Sequence, residues 1–458
     1  MRADEDQLAK LFSHVDENRD AFLGRLVDYL RHPSISIGGQ GIEEVAALLV
    51  ERLKGLGFAA ETHATGNHPV VLGRRVVSPD KPTILFYGHY DVLPPDPLEL
   101  WTSPPFEPEI RDGRIYARGV GDNKGQHFAQ LLAIETHLSV FGELPCNVMV
   151  LLEGEEEIGS PNLAAFAETH SELLKADVVI ISDGSQHESG QAVVTFGARG
   201  IAGFELRVRT ANRDVHSGNF GGVVPNAVWK LVHLLSTMKS PSGEILIEGL
   251  SDRTRPPTRD ECEAAAKLPL DIDELKSDLG ISELDAPGDR EYYDRLMFHP
   301  TFTINGLHGG YGGEGTKTII PCEAVAKCDI RLVEPLTPEY IFEKIASHIE
   351  RHAPDVEIIP VFGVPPSRTP LESPFTKPIL DAIAHVRGSD PLLYPSMGGS
   401  LPNYVFTQIL GIPAFVVPYA NADQANHAPN ENLEIERFLD GIKSGCAMLS
   451  GIGGMESF

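Results

Sequence analysis

Apolar positions recur at helical spacing at the head of the chain. Leu8, Leu11, Phe12 and Val15 are followed by Phe22, Leu23, Leu26, Val27 and Leu30, a run that stops before Pro33. A second run, Ile42, Val45, Leu48, Leu49 and Leu53, closes on Gly55 and Gly57. Beyond it the texture alternates. Short continuous apolar runs at 83–87, 147–152 and 177–181 predict buried strands, with helices between and after them through Phe128, Leu131, Leu132 and Leu138 and over 161–174. Buried strands alternating with helices predict an α/β domain with a mixed, mostly parallel sheet.

From residue 199 the pattern changes. Phe204, Leu206 and Val208 alternate with Glu205, Arg207 and Arg209, as in a strand with one buried face. A helix is predicted through Val228, Leu231, Leu235 and Met238. Residues 240–300, rich in proline and charge, read as an insertion that is partly helical near 272–279. Ala324, Ala326, Cys328, Ile330 and Leu332 then form one apolar strand face before a helix over 338–352. These elements describe a small α+β domain. After Pro370 the first texture returns, with a helix near 379–386, a strand at 414–417 and a last helix over 435–449. One domain is thus expected to interrupt another: 1–198 with 371–458, and 199–370 carrying an insertion near 240–300. No internal repeat is present.

Composition narrows the function. In 458 residues, 38 Lys and Arg against 65 Asp and Glu leave a net charge of −27. That balance argues against nucleic acid and against an anionic membrane surface, both of which are held by basic residues. Residues 1–6 lack the apolar core of a secretory leader, and no apolar stretch approaches the roughly 20 residues of a membrane span. Five scattered cysteines, with no Cys-x-x-Cys, suit free thiols in a reducing cytoplasm and leave a thiolate zinc site without support.

Chemistry-bearing residues gather where the apolar runs stop. Tyr87 leads to His89 and Asp91, Leu152 to Glu155, Glu156 and Glu157, Ile181 to Asp183, and Val417 across a loop to His427. Asp122 lies in Gly119-Val120-Gly121-Asp122-Asn123-Lys124-Gly125, just ahead of a predicted helix. Ligands in open α/β sheets bind outside the carboxyl ends of the strands, so these groups should converge. Crowded carboxylates cannot all ionise without a cation, and imidazole with carboxylate suits zinc, manganese or cobalt. Two residues apart on an extended segment, His89 and Asp91 share a face, so Asp91 could support the imidazole. Each piece has an ordinary reading in isolation. Asp122 could cap the following helix, Glu155–Glu157 could be a solvated acidic loop, and His427 could be a surface histidine. Their coincidence at four strand ends favours a metal site.

At these residues the chain resembles the dinuclear zinc metallopeptidases of the carnosinase, cytosolic dipeptidase and aminoacylase group. The motifs run in order through GHYDV (88–92), GVGDNKG (119–125), EGEEEIGS (153–160), SDG (182–184), DVHSGNFGG (214–222), KTIIP (317–321), DIRLV (329–333), GGSLP (398–402) and NHAPNE (426–431). The resemblance is closest to the carnosinase-like dipeptidase branch. It implies a zinc-peptidase catalytic domain with an inserted ferredoxin-like lid and dimerisation domain. It also implies two divalent ions per subunit, zinc first, with manganese or cobalt as alternatives. His89 and Asp183 would hold one ion, Glu157 and His427 the other, and Asp122 would bridge them. Asp91 would orient His89, and Glu156 would be the general base. His216 would act across a homodimer on the tetrahedral oxyanion of the partner's site, and Arg331 would grip the carboxylate of a small peptide substrate. Thr318 and Ser400 match substrate contacts.

Two departures from the pattern bear on substrate. Dipeptidases of this branch often carry Arg-Glu ahead of the Gly-Gly-Ser motif, where this chain has Ser396-Met397. The position of Asp183 is typically Asp in the group's aminopeptidases and dipeptidases and Glu in its carboxypeptidases and deacylases. The expected activity is therefore metal-dependent hydrolysis of dipeptides, with an N-acyl or N-carbamoyl amino acid amidohydrolase on the same scaffold as the alternative. A non-catalytic binding protein on this scaffold is disfavoured by the complete ligand set and base.

Overall fold

The computed structural model describes residues 5–285 and 288–455; the leader reading at residues 1–4 lies outside them. The chain divides into two compact units. The first comprises residues 1–196, 369–394 and 405–458, and the second residues 197–368 and 395–404.

The first unit is built on an eight-stranded sheet. Its order is Ala59–His63, Val70–Arg75, Asn147–Glu153, Thr83–His89, Val178–Ile181, Ala414–Val416, Val193–Thr195 and Leu392–Tyr394. Four of the seven pairings are parallel. The other three, at 59–75, at 70–75 against 147–153 and at 193–195 against 414–416, are antiparallel. Asn147–Glu153, Val178–Ile181 and Ala414–Val416 are buried at every residue, which is why they read as unbroken apolar runs. The edge strand Ala59–His63 is largely exposed and polar, so no hydrophobic pattern announces it.

Helix Lys124–Phe141 is buried through most of its length, Gln126, His127, Gln130, Thr136 and His137 included. A helix covered on all sides has no polar face to reveal its period. It packs against Ile435–Gly453 and the strand Thr83–His89. The helix expected over 161–174 is shorter, Leu163–Thr169; the chain turns beyond it, with the His170 ring stacked on Phe166 and its Nδ1 3.0 Å from the Phe166 carbonyl.

In the second unit Gly200–Arg209, Ala227–Met238, Thr301–Gly309, Glu323–Leu332, Pro338–His352 and Val356–Val364 follow as β-α-β-β-α-β. The sheet order is Thr301–Gly309, Glu323–Leu332, Gly200–Arg209, Val356–Val364, antiparallel throughout, which is ferredoxin-like. Phe204, Leu206 and Val208 share a buried core with Ala324, Ala326, Cys328, Ile330 and Leu332 and the helix residues Leu231, Leu235, Ile341 and Ile345. Each such large apolar side chain stabilises the unit by about 1.5–3 kcal/mol. Asn226 and Thr337 cap the two helices by accepting the N–H of Trp229 and Tyr340.

Among the described residues of 240–300 there are three helices, Arg259–Ala265, Ile272–Leu279 and Asp289–Phe298, where the sequence suggested one. The first is fixed by reciprocal bonds between Thr258 and Glu261. Residues 395–404, expected in the outer domain, group with the second unit. There Met397 N–H donates to the Gly197 carbonyl at 2.9 Å, and Arg199 N–H donates to the Met397 carbonyl at 3.1 Å. No helix among the described residues is long and apolar enough to cross a membrane.

Candidate active site

The strand Thr83–His89 ends on a fully buried imidazole. His89 Nδ1 lies 3.1 Å from the Asp91 carbonyl and 3.4 Å from its carboxylate. The Asp91 carboxylate also accepts the N–H groups of Glu156 (3.2 Å) and Glu157 (3.1 Å). One buried aspartate thus fixes both the imidazole and the turn beyond strand Asn147–Glu153, a second task that the sequence did not disclose.

His89 Nε2 faces three carboxylates: Asp122 at 3.0 Å, Asp183 at 3.7 Å and Glu156 at 4.0 Å. On the other side of Asp122, His427 Nε2 lies 3.1 Å from Oδ2 and 3.2 Å from Glu157 Oε2. His427 has a φ of +60°, in the left-handed region that a non-glycine residue enters only at some cost.

Two ligand groups result, His89–Asp122–Asp183 and Asp122–Glu157–His427. Within each, one ligand atom per residue lies within 4.8 Å of the others. Both combine one imidazole with two carboxylates and share Asp122, a donor set that fits a pair of divalent ions.

The electrostatics show how tightly these charges are confined. Burial pushes the Glu156 carboxyl well up; His89 opposes that, and Asp183 and Asp122 reinforce it. Burial and then Asp122 raise Asp183 to about 6. Burial would likewise raise Asp122, but hydrogen bonds from His427 and His89 hold it far below the usual carboxylate range. Burial opposes charge on His89, yet hydrogen bonds to Asp122 and Asp91 leave its pKa well raised. Hydrogen bonds to Asp122 and Glu157 lift His427 to about 10.

The remaining candidates form two pairs in the second unit. Val215–His216 pairs with Ile319–Ile320, which sets Thr318 Oγ1 3.2 Å from His216 Nε2. Gly218 N–H donates to His216 Nδ1, so a neutral ring carries its proton on Nε2. The nearby Asp214 carboxylate accepts the Cys322 N–H at 3.0 Å. Arg331 Nη1 donates to Ser400 Oγ at 3.0 Å, and its Nε lies 3.7 Å from Asp329.

Supporting residues escaped the sequence reading. Buried Arg199 donates to the Gly398 carbonyl at 3.1 Å and to Thr301 Oγ1 at 3.3 Å. Burial, with the charge of Arg331, lowers its pKa to about 10. Asn426 Nδ2 donates to Asp122 at 3.3 Å, and Asn123 Nδ2 to the Ser182 carbonyl at 2.5 Å. Glu431 accepts from Arg118 and from three backbone N–H groups of the loop carrying Asp122. Burial raises Glu431 to about 7, while Arg118 and those N–H groups favour its ionised form. The only signal for it in the sequence was its place at the end of the NHAPNE stretch.

An α/β sheet whose strand ends carry two linked imidazole–carboxylate clusters defines a class of proteins with a dinuclear metal centre. Residues 85–450 match the model of Peptidase family M20/M25/M40, and the chain belongs to that family. Among its relatives is the Cys-Gly metallodipeptidase dug1 of Schizosaccharomyces pombe, 30% identical over 96% of this chain and 97% of the relative. Among solved structures, an M20 family metallo-carboxypeptidase, Sso-CP2 from Sulfolobus solfataricus, is 36% identical with a TM-score of 0.86. That match covers 95% of this chain and 99% of the other. Human carnosine dipeptidase 1 is 26% identical with a TM-score of 0.77, covering 98% of this chain and 99% of the other.

Proposed function

We propose that this chain is a metal-dependent dipeptidase that hydrolyses the amide bond of small peptides with a free amino end. The observation that carries the reading is the pair of clusters sharing Asp122 with Glu156 beside them. The dipeptidase names among its relatives support it, as does Asp at position 183.

His89, Asp122 and Asp183 would hold one ion, and Asp122, Glu157 and His427 the other, with zinc proposed ahead of manganese or cobalt. Bound there, the ions would acidify a water and polarise the scissile carbonyl. Asp91 keeps Nε2 of His89 turned toward the carboxylates. Glu156 takes a proton from the attacking water as the C–O bond forms, then returns it to the leaving nitrogen as the C–N bond breaks. His216, from the partner subunit of a homodimer, donates Nε2–H to the developing oxyanion, which replaces Thr318 Oγ1 as its acceptor. Arg331 and Ser400 receive the substrate carboxylate. The five free cysteines support a cytoplasmic location.

The similarity to Sso-CP2 favours a second reading, removal of C-terminal residues from longer peptides. The N-acyl deacylase alternative is not favoured by these relatives. The test is a panel run with metal-loaded protein: unblocked dipeptides such as Cys-Gly and β-Ala-His, longer peptides with free carboxyl ends, and N-acetyl amino acids. Turnover confined to dipeptides is expected. Preference for longer peptides supports the carboxypeptidase, and no turnover of any peptide overturns both readings.

A further inference from the structure

Glu431 is completely buried at the end of the segment that carries His427. Its Oε1 accepts the N–H groups of Gly121 at 2.9 Å and Asp122 at 3.0 Å. Its Oε2 accepts the Gly119 N–H at 2.9 Å and Arg118 Nη1 at 2.8 Å. The Glu431 carbonyl takes the Ala117 N–H at 3.1 Å as well. A carboxylate has about four acceptor positions, and here four donors meet it.

The loop is shaped to make this possible. Gly119 has a φ of +85°, and a Cβ at Gly121 would stand 2.0 Å from Gln424 Oε1. The φ of Gly119 is one that side-chain-bearing residues rarely adopt, so glycine there lets the backbone turn its N–H groups onto one carboxylate.

We infer that Glu431 is a positioning residue that locks the loop carrying Asp122 to the loop carrying His427, so that both metal clusters stand assembled before an ion arrives. The inference rests on the two-metal reading of the site and adds a residue that touches neither ion nor substrate. Asp122 belongs to both clusters, so a shift of its backbone disturbs both together. Without the clamp, the two loops would have to be ordered at the expense of metal binding. Groups that orient metal ligands in this way typically account for about tenfold to hundredfold in affinity.

A buried ion pair that merely stabilises the fold would predict a different outcome, and the test separates the two. Titration of the metal-free full-length chain with Co2+ alone, followed by calorimetry and visible absorption, reads both affinity and ligand geometry. Glu431→Asp keeps the charge but withdraws it by one methylene. Arg118→Met/Glu431→Leu removes both buried charges together, which leaves no unpaired ion. Either variant, when folded, should bind Co2+ at least about tenfold more weakly and with an altered spectrum. Glu135→Gln, which breaks the ion pairs to Arg25 and Arg52 in the same unit, controls for lost stability and should bind as the wild type does. Hydrogen exchange on the wild-type apo-protein needs no variant: the amides of Gly119, Gly121 and Asp122 should be protected before metal is added. Wild-type affinity and spectrum in a folded Glu431 variant, or unprotected amides at these three residues, would overturn the inference. Absence of Co2+ uptake by the wild-type chain would instead overturn the metal reading beneath it.

Discussion

His427 reaches the carboxylate of Asp122 at 3.1 Å, from the opposite side to His89, which reaches it at 3.0 Å. In the metal-free protein that carboxylate is an acceptor for two imidazoles whose pKa values are both raised. His427 stands at about 10, against about 6.5 for a free histidine. A raised folded-state pKa means that this pairing stabilises the apo-protein fully below pH 6.5 and ceases to do so as pH rises through 10. A metal ligand must be a neutral imidazole, so uptake at neutral pH should expel about two protons, one from each histidine. Metal affinity should therefore climb as pH rises toward about 10, where His427 becomes neutral. Calorimetry in two buffers of different ionisation enthalpy measures the release directly. A buffer-independent heat would show that these histidines are already neutral in the metal-free protein.

Glu156 should separate chemistry from metal binding. It lies 4.0 Å from His89 Nε2, and its backbone is held by Asp91 rather than by either ligand cluster. Glu156→Gln removes the proton acceptor without altering the shape of the site. A drop in kcat of at least about 10³-fold, roughly 4 kcal/mol, is expected with wild-type metal content by elemental analysis. Turnover close to wild type would remove Glu156 from the role of base, and lost metal would make it a ligand.

The reach of the sequence can be read from these same residues. Strands such as Asn147–Glu153 are buried on both faces, so their apolar runs marked both the sheet and the ends where the imidazoles and carboxylates gather. His89, Glu157, Asp183 and His427 were visible for that reason. The double duty of Asp91 and the clamp of Glu431 were not, because each bonds backbone N–H groups of distant segments and no residue type signals that. The polar edge strand Ala59–His63 lacked any apolar pattern. Residues 395–404 were misplaced because their attachment to the second unit runs through backbone bonds of Met397 and the Arg331–Ser400 contact, and neither leaves a trace in composition.

Arg331 should govern binding rather than turnover. Its strand neighbours Ile330 and Leu332 are buried on the opposite face, which leaves the guanidinium half-buried against Ser400. Loss of a charged hydrogen-bonding partner corresponds to roughly 1.5–3 kcal/mol, or a rise in KM of about tenfold to hundredfold in Arg331→Ala. Arg331→Lys should recover only part of this, since a point charge does not reproduce a two-pronged contact. Dipeptide amides, which lack the carboxylate, supply the control. Wild type should discriminate against them and Arg331→Ala should not, whereas equal discrimination by both would place the carboxylate elsewhere.

His216 offers the sharpest test of assembly. Gly218 N–H occupies Nδ1, leaving Nε2–H as the donor beside Thr318, and the ring is exposed in the isolated chain. If that donor serves the site of a partner subunit, His216→Ala should lower kcat and leave metal content unchanged. The arrangement across subunits then follows from mixing His216→Ala with Glu156→Gln. In a heterodimer, the subunit with intact Glu156 receives an intact His216 from its partner, so one of the two sites is complete. Random pairing of equal amounts should restore about a quarter of wild-type activity, as expected for a twofold-symmetric dimer. If His216 served its own chain, every site in the mixture would lack one of the two groups. Verified heterodimers with no recovery would therefore assign His216 to its own subunit.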